Sequence, residues 1–159
     1  MSDMNDDMHE TAGIGAPPPL LFAVPLACGL LLGRGASTDA RGLAYARWAG
    51  IASIASGLGI GVAAIAAIRG TGSNVDPYKP TTALATSGVF QFSRNPAYVG
   101  ATAIYLGIAL ANRSLPALAF LPISLALVDH LVVDREERYL EARFGETYRD
   151  YRKRVARWF

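Results

Sequence analysis

Thr86-Ser87-Gly88-Val89-Phe90-Gln91-Phe92-Ser93-Arg94-Asn95-Pro96-Ala97-Tyr98-Val99-Gly100 opens the stretch that organises this chain, and Asp134-Arg135-Glu136-Glu137 closes it. Between these polar clusters lie two apolar blocks, 96–111 and 114–133, joined through Asn112-Arg113-Ser114. Ser114 is placed to cap the second helix, because a serine hydroxyl accepts from a first-turn N–H. Two apolar helices that cross a bilayer and return bring both polar clusters to the same face, next to each other.

The chain has 159 residues, enough for one domain, and 52% of them are hydrophobic and gathered in blocks. Blocked apolar sequence points to membrane spans. Trp48 to Ile68 runs for 21 residues without a charge and is the clearest span. An earlier block, 18–33, begins with prolines, which suit the first turn of a helix. At 1.5 Å per residue it reaches only about 24 Å, a length that needs local thinning of the bilayer. Pro25 is expected to kink it. The expected fold is therefore all-α: an integral membrane bundle of about four transmembrane helices (18–33, 48–68, 96–111, 114–133), with an amphipathic helical tail over 134–159.

Gly57, Gly59 and Gly61 resemble a nucleotide-binding glycine loop only in spacing. No strand precedes them, and they lie inside an apolar helix. With Ser53 one turn below, Gly57 and Gly61 instead form a small-residue strip for close helix contact. Cys28 is the single cysteine, which excludes an internal disulfide, and its apolar surroundings mark it as a packing residue. The segment 1–16 is acidic and polar, the opposite of a signal-peptide start, and is expected to be disordered. The domain proper is expected over 17–159. A net charge of +2 is too small to indicate a nucleic-acid partner, and no metal site is expected.

Charge also sets the topology. With four spans, Arg69, Lys79, Arg94 and the eight Lys/Arg from Arg135 onward share one side, against Arg34, Arg41, Arg47 and Arg113 on the other. The positive-inside rule then places the tail in the cytoplasm, although the 34–47 connection opposes the rule locally. The irregular stretch 69–93, with Asn74-Val75-Asp76-Pro77-Tyr78-Lys79-Pro80, is long for a connection inside a compact domain, and such loops are more often functional. In the tail, Leu140, Phe144, Tyr148, Tyr151, Val155 and Trp158 form one apolar stripe on a helix interrupted near Gly145. Such a helix suits an anionic membrane surface. Asp129 and His130 sit near the end of the fourth block, where a hydrated helix end and a functional ionisable site are both open readings.

Asn95-Pro96 reads as an N-cap followed by the first residue of a helix. That end would present N–H groups, from Ala97 and Tyr98 onward, to a carboxylate or phosphate, and Arg94 adds a forked cationic donor. The alternative is a capped membrane helix with a snorkelling arginine. Glu136 and Glu137 could accept from an ammonium or a ribose hydroxyl, or be solvated helix-end charges. An anion site beside a carboxylate site suits a zwitterion with an amino-acid head.

The run Ser87 to Gly100, with Glu136-Glu137, Leu140, Phe144-Gly145, Tyr148, Tyr151, Val155 and Arg157 at their spacings, resembles the isoprenylcysteine carboxyl methyltransferase family and the related phospholipid N-methyltransferases. The match covers roughly residues 70–158. The resemblance implies an integral-membrane methyltransferase that uses S-adenosylmethionine in a cytoplasmic-side pocket closed by the C-terminal segment, with a lipophilic acceptor arriving from the bilayer. It implies Gly88, Arg94, Asn95, Pro96 and Tyr98 at the cofactor site. Glu136 and Glu137 would take the cofactor's polar end, and Tyr148, Tyr151 and Arg157 would close the pocket. Arg94, Tyr98 and Glu137 would stand at the reacting centre. One departure matters: the family usually has His where this chain has Asn95. Asn can donate a hydrogen bond but cannot titrate near neutrality, so positioning remains and proton transfer does not.

Methyl transfer from a sulfonium is an in-line displacement that needs alignment and exclusion of water. A carboxylate acceptor needs no base, whereas an amine or thiol must lose a proton. The sequence marks no base, which favours an acceptor nucleophilic as it stands. Membrane sterol reductases, which use NADPH, are an alternative, but they are usually longer. A 2′-phosphate would also need more basic residues than Arg69, Lys79 and Arg94 outside the tail. A non-catalytic membrane protein is the third reading. The short acidic N-terminus and the lack of organelle signals fit a bacterial inner membrane, with site and C-terminus expected in the cytoplasm.

Overall fold

A computed structural model describes residues 17–34, 43–73 and 80–158. The expected disorder of 1–16, the segment Asn74 to Lys79, most of the 34–47 connection and Phe159 lie outside the described residues.

Every element among the described residues is helical. The order is α1 (Pro18–Leu32), α2 (Leu43–Gly70), a single 3-10 turn (Gly88–Gln91), α3 (Pro96–Ala111), α4 (Leu115–Val128), one π-helical turn (Asp129–Val133), α5 (Asp134–Phe144) and α6 (Glu146–Arg154). Two helical stretches are long and apolar enough to cross a membrane, Tyr45–Gly70 and Leu115–Phe144. Only 11% and 28% of their apolar windows are buried, so their hydrophobic side chains face outward, unlike core helices of a soluble protein. The apolar part of the second stretch ends at Val133, and from Asp134 the helix carries charges on most positions. The remaining two apolar helices, α1 and α3, are shorter, at 15 and 16 residues. The four-span expectation is thus met by length for two helices. For α1 and α3 the structure gives apolar helices below that length.

α2 packs along α3, and α1 packs along α4. In lipid no hydrophobic drive joins helices, so close packing of small residues carries the association. The expected strip is present but shifted. A Cβ on Gly57 would come 2.5 Å from the Gly100 carbonyl oxygen, and one on Gly50 would come 2.6 Å from that of Gly107. Gly100 and Gly107 face the same contact from α3. The Ser53 hydroxyl donates to the Ala103 carbonyl between them at 2.7 Å. Gly61 is approached through its backbone, whereas a side chain there and at Gly59 would meet open space. On the other seam a Cβ on Gly29 would overlap the Ala117 backbone. Ser114 caps α4 by accepting from Ala117 N–H at 3.2 Å and donates to the Gly29 carbonyl at 2.9 Å. Phe22, Tyr105, Ala109, Ala117, Val128 and Val133 form the buried core, and Trp158 of the tail packs against it.

Candidate active site

Four segments converge at the charged end of the bundle: residues 94–98 at the start of α3, the loop 81–85, α5 and α6. They enclose a cavity of about 260 Å³ whose walls also include Ile65 and Ile68 of α2 and Phe90 of the 3-10 turn.

The start of α3 differs from its expected form. Asn95 occupies the N-cap position, but its side chain makes no capping bond. Its amide donates instead to the Arg157 carbonyl at 3.1 Å. The Tyr98 and Val99 N–H groups both go to the Asn95 carbonyl, so the Tyr98 donor is not open to an anion. The tail runs along this motif as an extended strand-like segment. Ala156 accepts from the Arg94 N–H at 3.0 Å, and the Ser93 hydroxyl donates to the Arg157 carbonyl at 3.0 Å. Asn95 therefore fastens the tail.

The two adjacent glutamates have opposite surroundings, because neighbouring residues on a helix point roughly 100° apart. Glu137 is buried between two arginines: Arg94 Nη2 lies 2.9 Å from Oε1 and Arg157 Nη2 lies 2.8 Å from Oε2. The Glu137 and Arg94 side chains are only 8% and 9% exposed. Glu136 accepts from the Tyr98 hydroxyl at 2.8 Å, and no ion pair joins it among the described residues. Burial pushes its carboxyl up to about 7, with the Tyr98 hydrogen bond opposing and the Glu137 charge reinforcing the rise. The Arg94 Nε is buried without a hydrogen-bond partner among the described residues. The cavity thus has largely apolar walls that also carry the Glu136 carboxyl, bonded to Tyr98, and the Arg94–Glu137 ion pair.

α6 closes the opposite wall. The expected place of its apolar stripe is the membrane surface, but Tyr148 and Tyr151 are buried against the protein and line the cavity. The Tyr151 hydroxyl donates to the Phe90 carbonyl at 2.7 Å. Burial pushes this phenol up to about 12, and the Tyr148 phenol rises further, through burial and then the Glu137 charge. Both rings stay neutral and serve as walls. The turn between α5 and α6 is made by Gly145 at φ 53°, a conformation that favours glycine.

Of the residues singled out from sequence, the structure brings Arg94, Asn95, Pro96, Tyr98, Glu136, Glu137, Tyr148 and Tyr151 to the cavity wall. Gly88 does not line it; it sits in the 3-10 turn with φ +61°. Arg157 does not line it either. It stands behind Glu137, and its bonds to Glu137 and then Asp129 raise its pKa against partial burial. Sequence reasoning missed Ile65, Ile68, Leu84 and Tyr139, which also line the cavity, and Leu140, read as part of the tail's apolar stripe, lines it too. Residues 81–85 are tied to α5: Tyr139 accepts from the Thr81 N–H at 3.0 Å, and Arg143 donates to the Thr81 carbonyl. Asp129, His130 and Asp134 hold ligand-type atoms within 4.8 Å of one another. Arg157 Nη1 engages both aspartates at 3.1 and 2.9 Å, so the cluster acts as an anchor for that arginine.

A helical bundle with outward apolar faces and a partly polar cavity at its charged end is the architecture of a membrane protein. The sequence profile of the phospholipid methyltransferase family matches residues 45–147, which include most of that cavity wall. The chain belongs to this family, which is related to the isoprenylcysteine carboxyl methyltransferases, and membership indicates a methyltransferase. A protein of Haemophilus influenzae described as uncharacterized is 42% identical over 36 residues, 23% of this chain and 57% of that relative. The chain thus spans little more than half of that relative's length. No solved structure matches.

Proposed function

We propose that the protein transfers a methyl group from S-adenosylmethionine to a lipophilic acceptor drawn from the membrane, with the amine of a phospholipid as the first candidate and an isoprenylcysteine carboxylate as the second. The observation that carries the cofactor assignment is the polar end of the cavity. Glu136 is a carboxylate with no cationic partner among the described residues, and the Arg94 guanidinium stands on the same cavity wall. A ligand with an ammonium and a carboxylate on one carbon suits that pair. The volume, about 260 Å³, lies just below the ~300–1,000 Å³ usual for such sites.

When bound, the cofactor supplies a methyl group on a sulfonium, ready for displacement. Glu136 would hold the ammonium, with the Tyr98 hydroxyl fixing its orientation. Arg94, held by Glu137, would face the carboxylate. Tyr148 and Tyr151 would cover the site and exclude water, which strengthens every charge interaction inside. The apolar side walls, Ile65, Ile68, Leu84 and Leu140, suit contact with a hydrocarbon chain. The family description favours a phospholipid acceptor, whose amine would react as the neutral form after leaving its proton to water, since the site is assigned no base. Four spans, with the site and tail on the cytoplasmic side of a bacterial inner membrane, are the arrangement that the charge asymmetry supports.

Isothermal titration of the detergent-purified protein with S-adenosylhomocysteine, with NADPH in parallel, tests this. Binding of the first alone supports the reading. Binding of NADPH alone moves the protein to the reductases, and binding of neither by folded protein refutes the cofactor assignment.

A further inference from the structure

Arg157 stands at a junction that neither the cavity nor the family match accounts for. Its backbone carbonyl accepts from the Ser93 hydroxyl and the Asn95 amide. Its guanidinium reaches three carboxylates: Glu137 Oε2 at 2.8 Å, Asp134 Oδ1 at 2.9 Å and Asp129 Oδ1 at 3.1 Å. Glu137 in turn holds Arg94. The order is Asp129 and Asp134, then Arg157, then Glu137, then Arg94, and only the last two touch the cavity.

The helix departs from α geometry to make this row. Asp129 and Glu137 are eight residues apart, which in an uninterrupted α-helix leaves them roughly 80° apart about the axis. The π-helical turn Asp129–Val133 takes up one extra residue and rotates α5 back by nearly that amount. Asp129, Asp134 and Glu137 then face one guanidinium. A guanidinium is planar and carries five donors, so it can serve several carboxylates at once, which an ammonium cannot do in this geometry. A buried carboxylate between two arginines has a defined position only if both arginines do.

We propose that Arg157, with Asp129 as its remote anchor, is a positioning residue: it fixes Glu137 and, through Glu137, sets the direction of Arg94 at the polar end of the cavity. The π turn is the structural means by which Asp129 takes part. This rests on the cofactor reading above for its ligand readout, but its geometry is independent of it.

The test uses the full-length protein in detergent, with S-adenosylhomocysteine as probe. Asp129→Asn keeps shape, leaves every backbone bond of the tail in place and lies outside the cavity. It is expected to weaken the probe about threefold to tenfold, with Asp129→Glu restoring most of the loss. Arg157→Lys is expected to weaken it about tenfold or more, and Asp129→Asn combined with Arg157→Lys to be no weaker than Arg157→Lys alone, because the two act through one contact. Wild-type affinity in Asp129→Asn, or losses that multiply in the double variant, would overturn the proposal. If the wild-type protein binds no S-adenosylhomocysteine, the cofactor reading fails. Hydrogen exchange then decides the positioning role: Asp129→Asn should speed exchange in peptides covering 93–98 and 155–158, and unchanged exchange there overturns it.

Discussion

Glu136 and Glu137 are chemically identical neighbours, and the structure predicts that neutralising each has the opposite effect on stability. Glu137→Gln leaves Arg94, 9% exposed, without its countercharge. Removing one partner of a buried pair costs about 3–5 kcal/mol. The glutamine oxygen still accepts one bond, and Arg157 keeps Asp129 and Asp134, so about 2–4 kcal/mol is expected. That corresponds to a fall in Tm of roughly 5–15 °C for a chain of this size. Glu136→Gln acts the other way. The Glu136 pKa is raised from 4.5 to about 7, so its folded state favours the protonated form. The benefit is full below the unfolded value and is lost as pH rises through 7. At pH 8 the ionised side chain burdens the fold and glutamine does not, so Glu136→Gln should be more stable than wild type by an amount on the order of 1–3 kcal/mol. At pH 4.5 the gap should close. Thermal unfolding in detergent at the two pH values measures both variants, and titration with S-adenosylhomocysteine should show Glu136→Gln bound weakly despite its stability. The same sign of shift for both variants at pH 8, or a Glu137→Gln shift under about 2 °C, would refute the division of roles.

Two further outcomes concern the helix packing and the tail. Gly107→Ala places a Cβ about 2.5 Å from the Gly50 carbonyl oxygen and should cost ~1–3 kcal/mol as overpacking, whereas Gly59→Ala meets nothing within 4 Å and should be neutral or gain up to ~1 kcal/mol from helix propensity; thermal unfolding ranks them. Asn95→His keeps a ring N–H for the Arg157 carbonyl and should hold S-adenosylhomocysteine within about threefold, whereas Asn95→Ala loses a hydrogen bond worth about 1 kcal/mol and should expose the Arg154 bond to trypsin sooner.

Helix positions are legible in the sequence where local chemistry decides them. Asn95-Pro96 and Ser114 mark the starts of α3 and α4, and the helices begin at Pro96 and Leu115. The glycine strip on α2 is legible as a kind of surface but not as a register. Gly57 finds its partner in Gly100 and Gly50 in Gly107, and a single chain of letters does not say which helix faces which. Adjacent glutamates look equivalent because a sequence places them one letter apart, whereas the helix turns them into different environments. The tail's apolar stripe is legible as a stripe, but one that faces lipid and one that faces a protein cavity have the same period. Resemblance alone marks Arg157 for the cofactor pocket. Its place behind Glu137 depends on a π turn that no composition signal announces, since Asp129-His130-Leu131-Val132-Val133 continues the helical pattern without a break.

The fastening of residues 156 and 157 onto 93–95 also orders events during synthesis. α1 to α4 are synthesised before residues 156 and 157, so the helices can begin to pair around a cavity that is still open. Only when residues 156 and 157 have emerged can Arg157 reach Glu137, which holds Arg94. A chain cut between α5 and residue 156 would therefore keep its apolar helices but leave Glu137 with one arginine in place of two.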